Sequence, residues 1–587
     1  MKPTNFNRFP SVDLPDNSAI FVGWNSICEK ITSDILVSKA PKTVVAVEFY
    51  QGVLVENVIE NLLSRIENVL YINTYDLMWP SEKIEAMVFP DVTNDRIFGY
   101  LTRLNITDYF DPEKVLEAQK QIEMVENGTV LIIGPGANFV YQSPNILIYA
   151  DMARWEIQLR MRAHRVDNLG LQNRNTEDWM LLYKQGYFVD WRVLDRWKKR
   201  TMPDWDYVLD TNDSENPKLI HAQSIRDALK MTVSRPFSVV PFFDPGPWGG
   251  QWMKSNCNLD QTPDNYAWCF NCVPEENSLL LKSGDHFIEI PSINLVFSHP
   301  KQLLGEPVHA RFGDEFPIRY DFLDTIDGGN LSLQVHPLTE YIQEKFGMHY
   351  TQDESYYLFK TKPGAQVYLG LKEGVNPTEM IQDLEKAQLG EIPFPAEKHI
   401  GIWPVQTHDH LLIPAGTVHC SGKDCMVLEI SATPYIFTFK MWDWGRLGLD
   451  GRPRPINIEH AKNVIQWDRT EPWVQQNLVN QIVPIAEGEG WREEKTGLHE
   501  REFIETRRHW FSQEVNISMQ HSVYVVCVVE GDEITIESPI HSFEPFVVHY
   551  AETFIVPANV REYKMKPTGK SVGSICATIT SFVRNNP

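Results

Sequence analysis

Between residues 43 and 152 the chain alternates short, almost wholly apolar runs with stretches whose apolar positions recur every three or four residues. "TVVAVEFY" (43–50), "NVLYINTY" (68–75), "GTVLIIGPG" (128–136) and "NILIYADM" (145–152) predict strands buried on both faces. "LVENVIENLLSRI" and "PEKVLEAQKQIEMVE", between them, carry helix periodicity. That alternation predicts an α/β layer with a parallel sheet. Residues 166 to 235, rich in Trp and charge, read as helices that extend the layer. The pattern changes at the Pro- and Gly-rich "RPFSVVPFFDPGPWGGQWM". Beyond it, "HFIEIPSINLVF", "ESYYLFKTKPGAQVYLGL", "HDHLLIPAGTVHC" and "CMVLEISATPYIFTFKMW" are short β-rich runs joined by turns, which predict a sandwich or jelly roll. One helix interrupts them: "NPTEMIQDLEKAQLG" (376–390) has an Asn-Pro start and a Gly stop.

The C-terminal part repeats itself loosely, "HDHLLIPAGTVHC" (408–420) matching "HYAETFIVPANVREY" (549–563) and putting Glu562 where His419 stands. The expected division is therefore an α/β domain with a helical extension (1–235), a metal-binding jelly roll with a helical insertion (236–469), and a second jelly roll without metal (470–587).

Composition narrows the partners. With 43% hydrophobic and 11% aromatic residues the 587-residue chain can fill several cores. A net charge of −24 argues against nucleic acid or an anionic membrane surface, and an anionic substrate would need a local basic pocket. The N-terminus carries no apolar signal region, and eight scattered cysteines suit reduced thiols, so a cytoplasmic location is expected. "CFNC" (269–272) has ligand spacing but no second pair, and reads as a core pair.

"LSLQVHPLTEYIQEKFGMHYTQDESYYLF" (331–359) concentrates the candidate chemistry. Gln334 and His336 are two apart and share a face on a strand, and a returning hairpin can bring Glu354 beside them. His419 closes the turn "IPAGTVH" and is the natural fourth ligand. Gln334, His336, Glu354 and His419 form an N/O set suited to one Zn2+ per chain. A structural zinc site rarely uses a neutral amide oxygen, so the set points to chemistry at the ion. Two neutral imidazoles and one carboxylate leave the site near +1, enough to acidify a bound water or sugar hydroxyl.

"DPGPWGGQWM", "GEPVHARFGDEFPIRYDFLDTIDGGNLSLQVHP", "DESYYLF", "LLIPAGTVHCSGKDCMVLEIS" and "WDWGR" together resemble the type I mannose-6-phosphate isomerases, a cupin family, over residues 236 to 587. The resemblance implies a double-stranded β-helix tandem, zinc on the four residues above, and interconversion of mannose 6-phosphate and fructose 6-phosphate through a cis-enediol. It makes Glu429 in "VLEIS" a candidate base, with a carboxylate that merely orients a ligand histidine as the alternative. Three positions depart from the family: Asp321 in "FPIRYD" and Gln352 in "TQDE" replace lysines, and Lys440 in "TFKMWDWGR" replaces an arginine. Lys440 and Asp321 join Glu429 as catalytic candidates, and Arg319, Arg446 and Gln352 as substrate-binding ones. The departures keep two alternatives open: a sugar-binding or regulatory cupin with weak or no turnover, and an isomerase of a different sugar, including a non-phosphorylated one.

"VEFYQGVLVENVIENL" and "ADMARWEIQLRMRAHR" give the N-terminal domain a resemblance to a degenerate P-loop nucleoside or nucleotide kinase. Gly52 is the only glycine in that loop and no Gly-Lys-Ser/Thr follows, so no nucleotide-binding residues are expected. Arg154, Arg160 and Arg162 read as a solvated helix face.

Overall fold

The computed structural model describes residues 5–15, 18–38, 40–66, 69–434, 437–447, 454, 456–497 and 499–584, and divides into two compact units. One unit comprises Ser11–Met231 with Ser278–Ser298, and the other Thr232–Asn277 and His299–Pro587 with the first ten residues.

The first unit is built on a seven-stranded sheet in the order Ile20–Val22, Lys218–His221, Tyr207–Asp210, Ile146–Asp151, Lys42–Phe49, Gly128–Ile133, Val69–Asn73. The last five of these run parallel. Central strands such as Val44–Val47 are buried on both faces, which is why their sequences are apolar without alternation. Helices Val55–Leu63 and Pro112–Met124 stand where periodicity puts them. Tyr207–Asp210 and Lys218–His221 are strands inside the stretch expected to be helical, and at four residues each they are too short for periodicity to register.

Helix Arg154–Arg162 turns two of its arginines inward rather than onto a solvated face: Arg154 is 1% and Arg160 2% exposed. Arg154 pairs with Asp195, and Arg160 donates to the carbonyls of Gly52 (2.8 Å), Thr211 (2.7 Å) and Asn212 (2.9 Å). Ile157 packs so closely on Gly52 that a Cβ there would lie 2.8 Å from its Cγ1. Ile157 and Arg160 thus close one side of the turn that follows the central strand, while Gln51–Glu56 line a cavity of about 550 Å³ on another.

Ser278–Ser298 also belongs to this unit. Strand Ser278–Ser283 pairs in parallel with Ser11–Asp13, and Asn294 joins the buried Lys198–Asp151 ion pair (2.7 Å) by donating to Asp151 at 2.8 Å. Its β-rich sequence resembles the runs that follow it, so composition alone draws no boundary there.

The second unit carries two pairs of antiparallel sheets. The first pair has a six-stranded sheet, His410–Ile413, Asp353–Thr361, Cys425–Ala432, Ile318–Asp324, Trp268–Cys272, Phe242–Asp244, and a five-stranded one, Ile400–Pro404, Gln366–Leu371, His419–Ser421, Leu333–Val335, Phe439–Trp442. The insertion helix Pro377–Gln388 is capped by the Asn376 side chain, as its Asn-Pro start predicts. The second pair, six and four strands within Val483–Val583, closes on an apolar interior that includes Phe511, Val526, Phe554, Tyr563 and Phe582. Glu562, the counterpart of buried His419, is exposed. Among the described residues no helix is long and apolar enough to cross a membrane.

Candidate metal centre

The centre forms where the sheets of the first pair face each other. Strand Leu333–Val335 sets Gln334 opposite His419 on one side and opposite Lys440 on the other. His336 lies one residue past that strand, and Glu354 comes from Asp353–Thr361 in the facing sheet. One ligand atom each from His336, Glu354 and His419 fit within 4.8 Å of one another, and all three residues are buried. Glu354 lies 3.1 Å from His336 Nε2 through Oε2 and 2.8 Å from His419 Nε2 through Oε1. Gln334 reaches the same place, its amide nitrogen 3.2 Å from His419 Nε2. Turning that amide over exchanges its nitrogen and oxygen.

The ring orientations decide what the cluster can hold. His336 Nδ1 is 2.9 Å from the Phe437 carbonyl and His419 Nδ1 is 2.9 Å from the Thr417 carbonyl. A carbonyl only accepts, so each Nδ1 carries the hydrogen and each neutral ring turns an Nε2 lone pair toward Glu354. When both rings are neutral, two lone pairs and a carboxylate converge, and a cation between them relieves their repulsion. The electrostatics show the same place drawing positive charge, which a proton on His336 or a bound cation supplies. Burial pulls His336 down, yet the Glu354 carboxylate and the Phe437 carbonyl raise it overall. Burial pushes Glu354 up, yet the two imidazoles hold it well below the usual carboxylate range. Imidazole, carboxylate and amide donors suit zinc.

Gln352 is fixed behind the ligands. Its amide nitrogen donates to Glu354 (2.9 Å), Glu429 (3.2 Å) and Ser431 (3.2 Å), and its oxygen accepts from Phe437 N at 2.9 Å. Its bonding capacity is used inside the protein, which orients Glu354 rather than offering a contact to substrate.

The remaining candidates occupy one sheet face in rows. Register places Tyr356, Glu429 and Asp321 across three strands, and beside them Glu354, Ser431 and Arg319. Burial drives Asp321 up to about 7 against the opposing pull of Arg319, with Glu276 and Glu354 adding to the rise. Burial, Glu354 and Asp321 lift Glu429 well above the carboxylate range.

Lys440 faces a cationic neighbourhood that sequence reasoning saw only in part. Asp443 is gripped by Arg446 (2.6 Å) and Arg454 (2.8 Å) and accepts from Ser332 at 2.9 Å. Arg454, Asp443 and Ser332 were not anticipated as site residues. The signal for Arg454 is the basic run "GRPRP" that follows "WDWGR".

With this geometry in view, the chain can be compared with known proteins. A family model described as a domain of unknown function (DUF8485) matches residues 23–234. A mannose-6-phosphate isomerase of Streptococcus mutans is 26% identical over 221 residues, 37% of this chain and 64% of that protein. One of Bacillus subtilis is 22% identical over 234 residues, covering 40% and 69%. The chain thus spans about two thirds of the length of these curated relatives. A crystal structure of the Bacillus subtilis mannose 6-phosphate isomerase covers 59% of this chain and 99% of its own, at 19% identity and a TM-score of 0.48.

Proposed function

We propose that the chain binds one zinc ion at Gln334, His336, Glu354 and His419, and interconverts an aldose phosphate and a ketose phosphate, of the mannose 6-phosphate to fructose 6-phosphate type, through a cis-enediol. The observation that carries this reading is the convergence of two Nε2 lone pairs on one buried carboxylate. A metal bound there supplies the positive charge that polarises the sugar's C1 and C2 oxygens.

The chain's own residues divide the remaining work. Asp321, with a carboxyl poised near neutrality on the ligand-bearing face, takes the proton from one carbon and returns it to the next. Glu429 and Gln352 hold Glu354 in place. Lys440 steadies the enediolate as a cation opposite Gln334. Arg446 and Arg454, which grip one carboxylate near Lys440, bring the positive charge that meets the substrate's phosphate.

The second reading, a sugar-binding cupin with weak turnover, is favoured by Asp321, Gln352 and Lys440 standing where the resemblance implies two lysines and an arginine. In the first unit, a P-loop-kinase-like layer without nucleotide chemistry is supported by the parallel sheet and by the lack of a Gly-Lys-Ser/Thr after Gly52. Eight buried, unpaired cysteines support a reducing, cytoplasmic setting. The deciding experiment offers zinc-loaded protein a panel of phosphorylated and free aldoses and follows ketose formation. Turnover of mannose 6-phosphate supports the first reading, and saturable binding with no ketose formed supports the second.

A further inference from the structure

The turn Pro414–Thr417 touches the surroundings of all three candidate ligands. Gly416 N donates to the His336 carbonyl at 2.9 Å. Ala415 N donates to the carboxylate of Asp353, the residue before Glu354, at 2.7 Å. The Thr417 carbonyl is the acceptor that fixes the His419 ring at 2.9 Å. Two ligands are therefore held through backbone positions of this turn, and the third through its immediate neighbour. The turn bends at Gly416, whose φ of +88° suits a glycine, and is closed by Thr417 N donating to the Pro414 carbonyl at 3.1 Å.

Further fastening comes from Arg469, about fifty residues later in the chain. Its Nη1 donates to the Pro414 carbonyl (2.8 Å), the Ala415 carbonyl (2.7 Å) and Thr417 Oγ1 (2.5 Å). Arg469 is 3% exposed, and the Trp473 ring lies 5.4 Å from its guanidinium carbon. Gln466 N adds a bond to the Gly416 carbonyl at 2.9 Å, and a Cβ on Gly416 would meet Gln466 Cγ at 2.7 Å. A buried cation bound to carbonyls rather than to a carboxylate is an expensive arrangement, retained here at the point where the ligands are set.

We propose that Arg469 is a positioning residue for the metal centre: by pinning the Pro414–Thr417 turn it holds His336, Glu354 and His419 at the separation that grips the ion. This rests on the reading that these residues bind metal. Loss of the pin loosens three ligands at once, so it weakens metal binding more than it weakens the fold.

The test is the zinc dissociation constant, measured by chelator competition on the full chain, with the cobalt(II) absorption spectrum as a second readout of coordination geometry. Arg469→Gln is expected to weaken zinc binding by about 10- to 100-fold and to alter the cobalt spectrum. Arg469→Lys should recover part of the affinity, and Thr417→Val, which removes one acceptor, should weaken binding by a smaller factor. Affinity within twofold of wild type in Arg469→Gln overturns the proposal, whatever happens to the melting temperature. Should that variant fail to fold, unchanged affinity in Thr417→Val overturns it instead. A wild-type chain that binds no zinc refutes the metal site itself, a result distinct from either of these.

Discussion

Lys440 stands directly across from Gln334 in paired strands, so a desolvated amine shares a sheet face with a metal-ligand position. Burial and Arg454 pull it down to about 7, helped by Arg446 and opposed by Asp443.

That value gives a pH dependence with a definite sign. The ammonium that steadies the enediolate is present below about 7 and lost above it, so kcat/KM should fall on an alkaline limb centred there. Stability runs the other way. A depressed lysine binds fewer protons folded than unfolded between about 7 and its ordinary value of 10.5, so its contribution to folding improves as pH rises through that window. Lys440→Arg keeps its charge and should abolish the alkaline limb. A pH–rate profile of both proteins checks this, and an identical limb in the variant rules Lys440 out.

The metal site predicts one zinc per chain. His336→Ala and His419→Ala should each lose the ion on elemental analysis, because each removes one of the two lone pairs facing Glu354. Full occupancy in both variants would refute the ligand set.

Phosphate recognition should separate from the chemistry. Arg454→Gln removes one of two guanidiniums bound to Asp443, and a charge-assisted hydrogen bond is worth about 1.5–3 kcal/mol. KM for a phosphorylated sugar should rise by roughly ten- to a hundredfold while kcat changes little. An equal loss with a free sugar would mean that Arg454 serves the fold.

The convergence of His336, Glu354 and His419 was legible because strand alternation and a turn motif bring them toward one place. Four of the five parallel strands were legible for a similar reason, since burial on both faces writes a continuous apolar run, while Tyr207–Asp210 was too short to leave one. Arg469 left no such mark. Its partners are the carbonyls of Pro414 and Ala415 and a hydroxyl, and no side-chain pattern signals a cation aimed at carbonyls. The inward turn of Arg154 and Arg160 was hidden likewise, because charge composition does not tell a solvated arginine from one satisfied inside. Ser278–Ser298 escaped because β-propensity gives no account of which sheet a strand joins.

That excursion has a consequence for folding. A fragment of residues 1–235 lacks the strand that pairs with Ser11–Asp13 and leaves Lys198 and Asp151 without Asn294. It should melt without the cooperative transition of the full chain. In the full chain, Asp151→Ala strands the Lys198 ammonium and should cost about 3–5 kcal/mol by denaturant titration. A cooperative fragment of wild-type midpoint would show that the excursion is dispensable.

Asp321 carries the last prediction, since it decides between the two readings of the pocket. It faces Glu429 across the strand pair, and its carboxyl sits at about 7, so near neutral pH it both accepts and returns a proton. If it moves the proton between the sugar carbons, Asp321→Asn should cut kcat by about a hundredfold or more, with zinc still bound and KM little changed. If it only opposes the phosphate, Asp321→Lys should lower KM for phosphorylated sugars, because a charge-assisted bond replaces a repulsion, while Asp321→Asn leaves kcat nearly intact. The sign of the stability change is a control on the same side chain. A carboxyl raised by burial is destabilising when ionised, so wild-type stability should decline as pH rises from about 4 toward 7, and Asp321→Asn should flatten that decline. A variant pair that alters neither rate constant nor KM removes Asp321 from the reaction, and the altered lysine position then has no bearing on which sugar the protein takes.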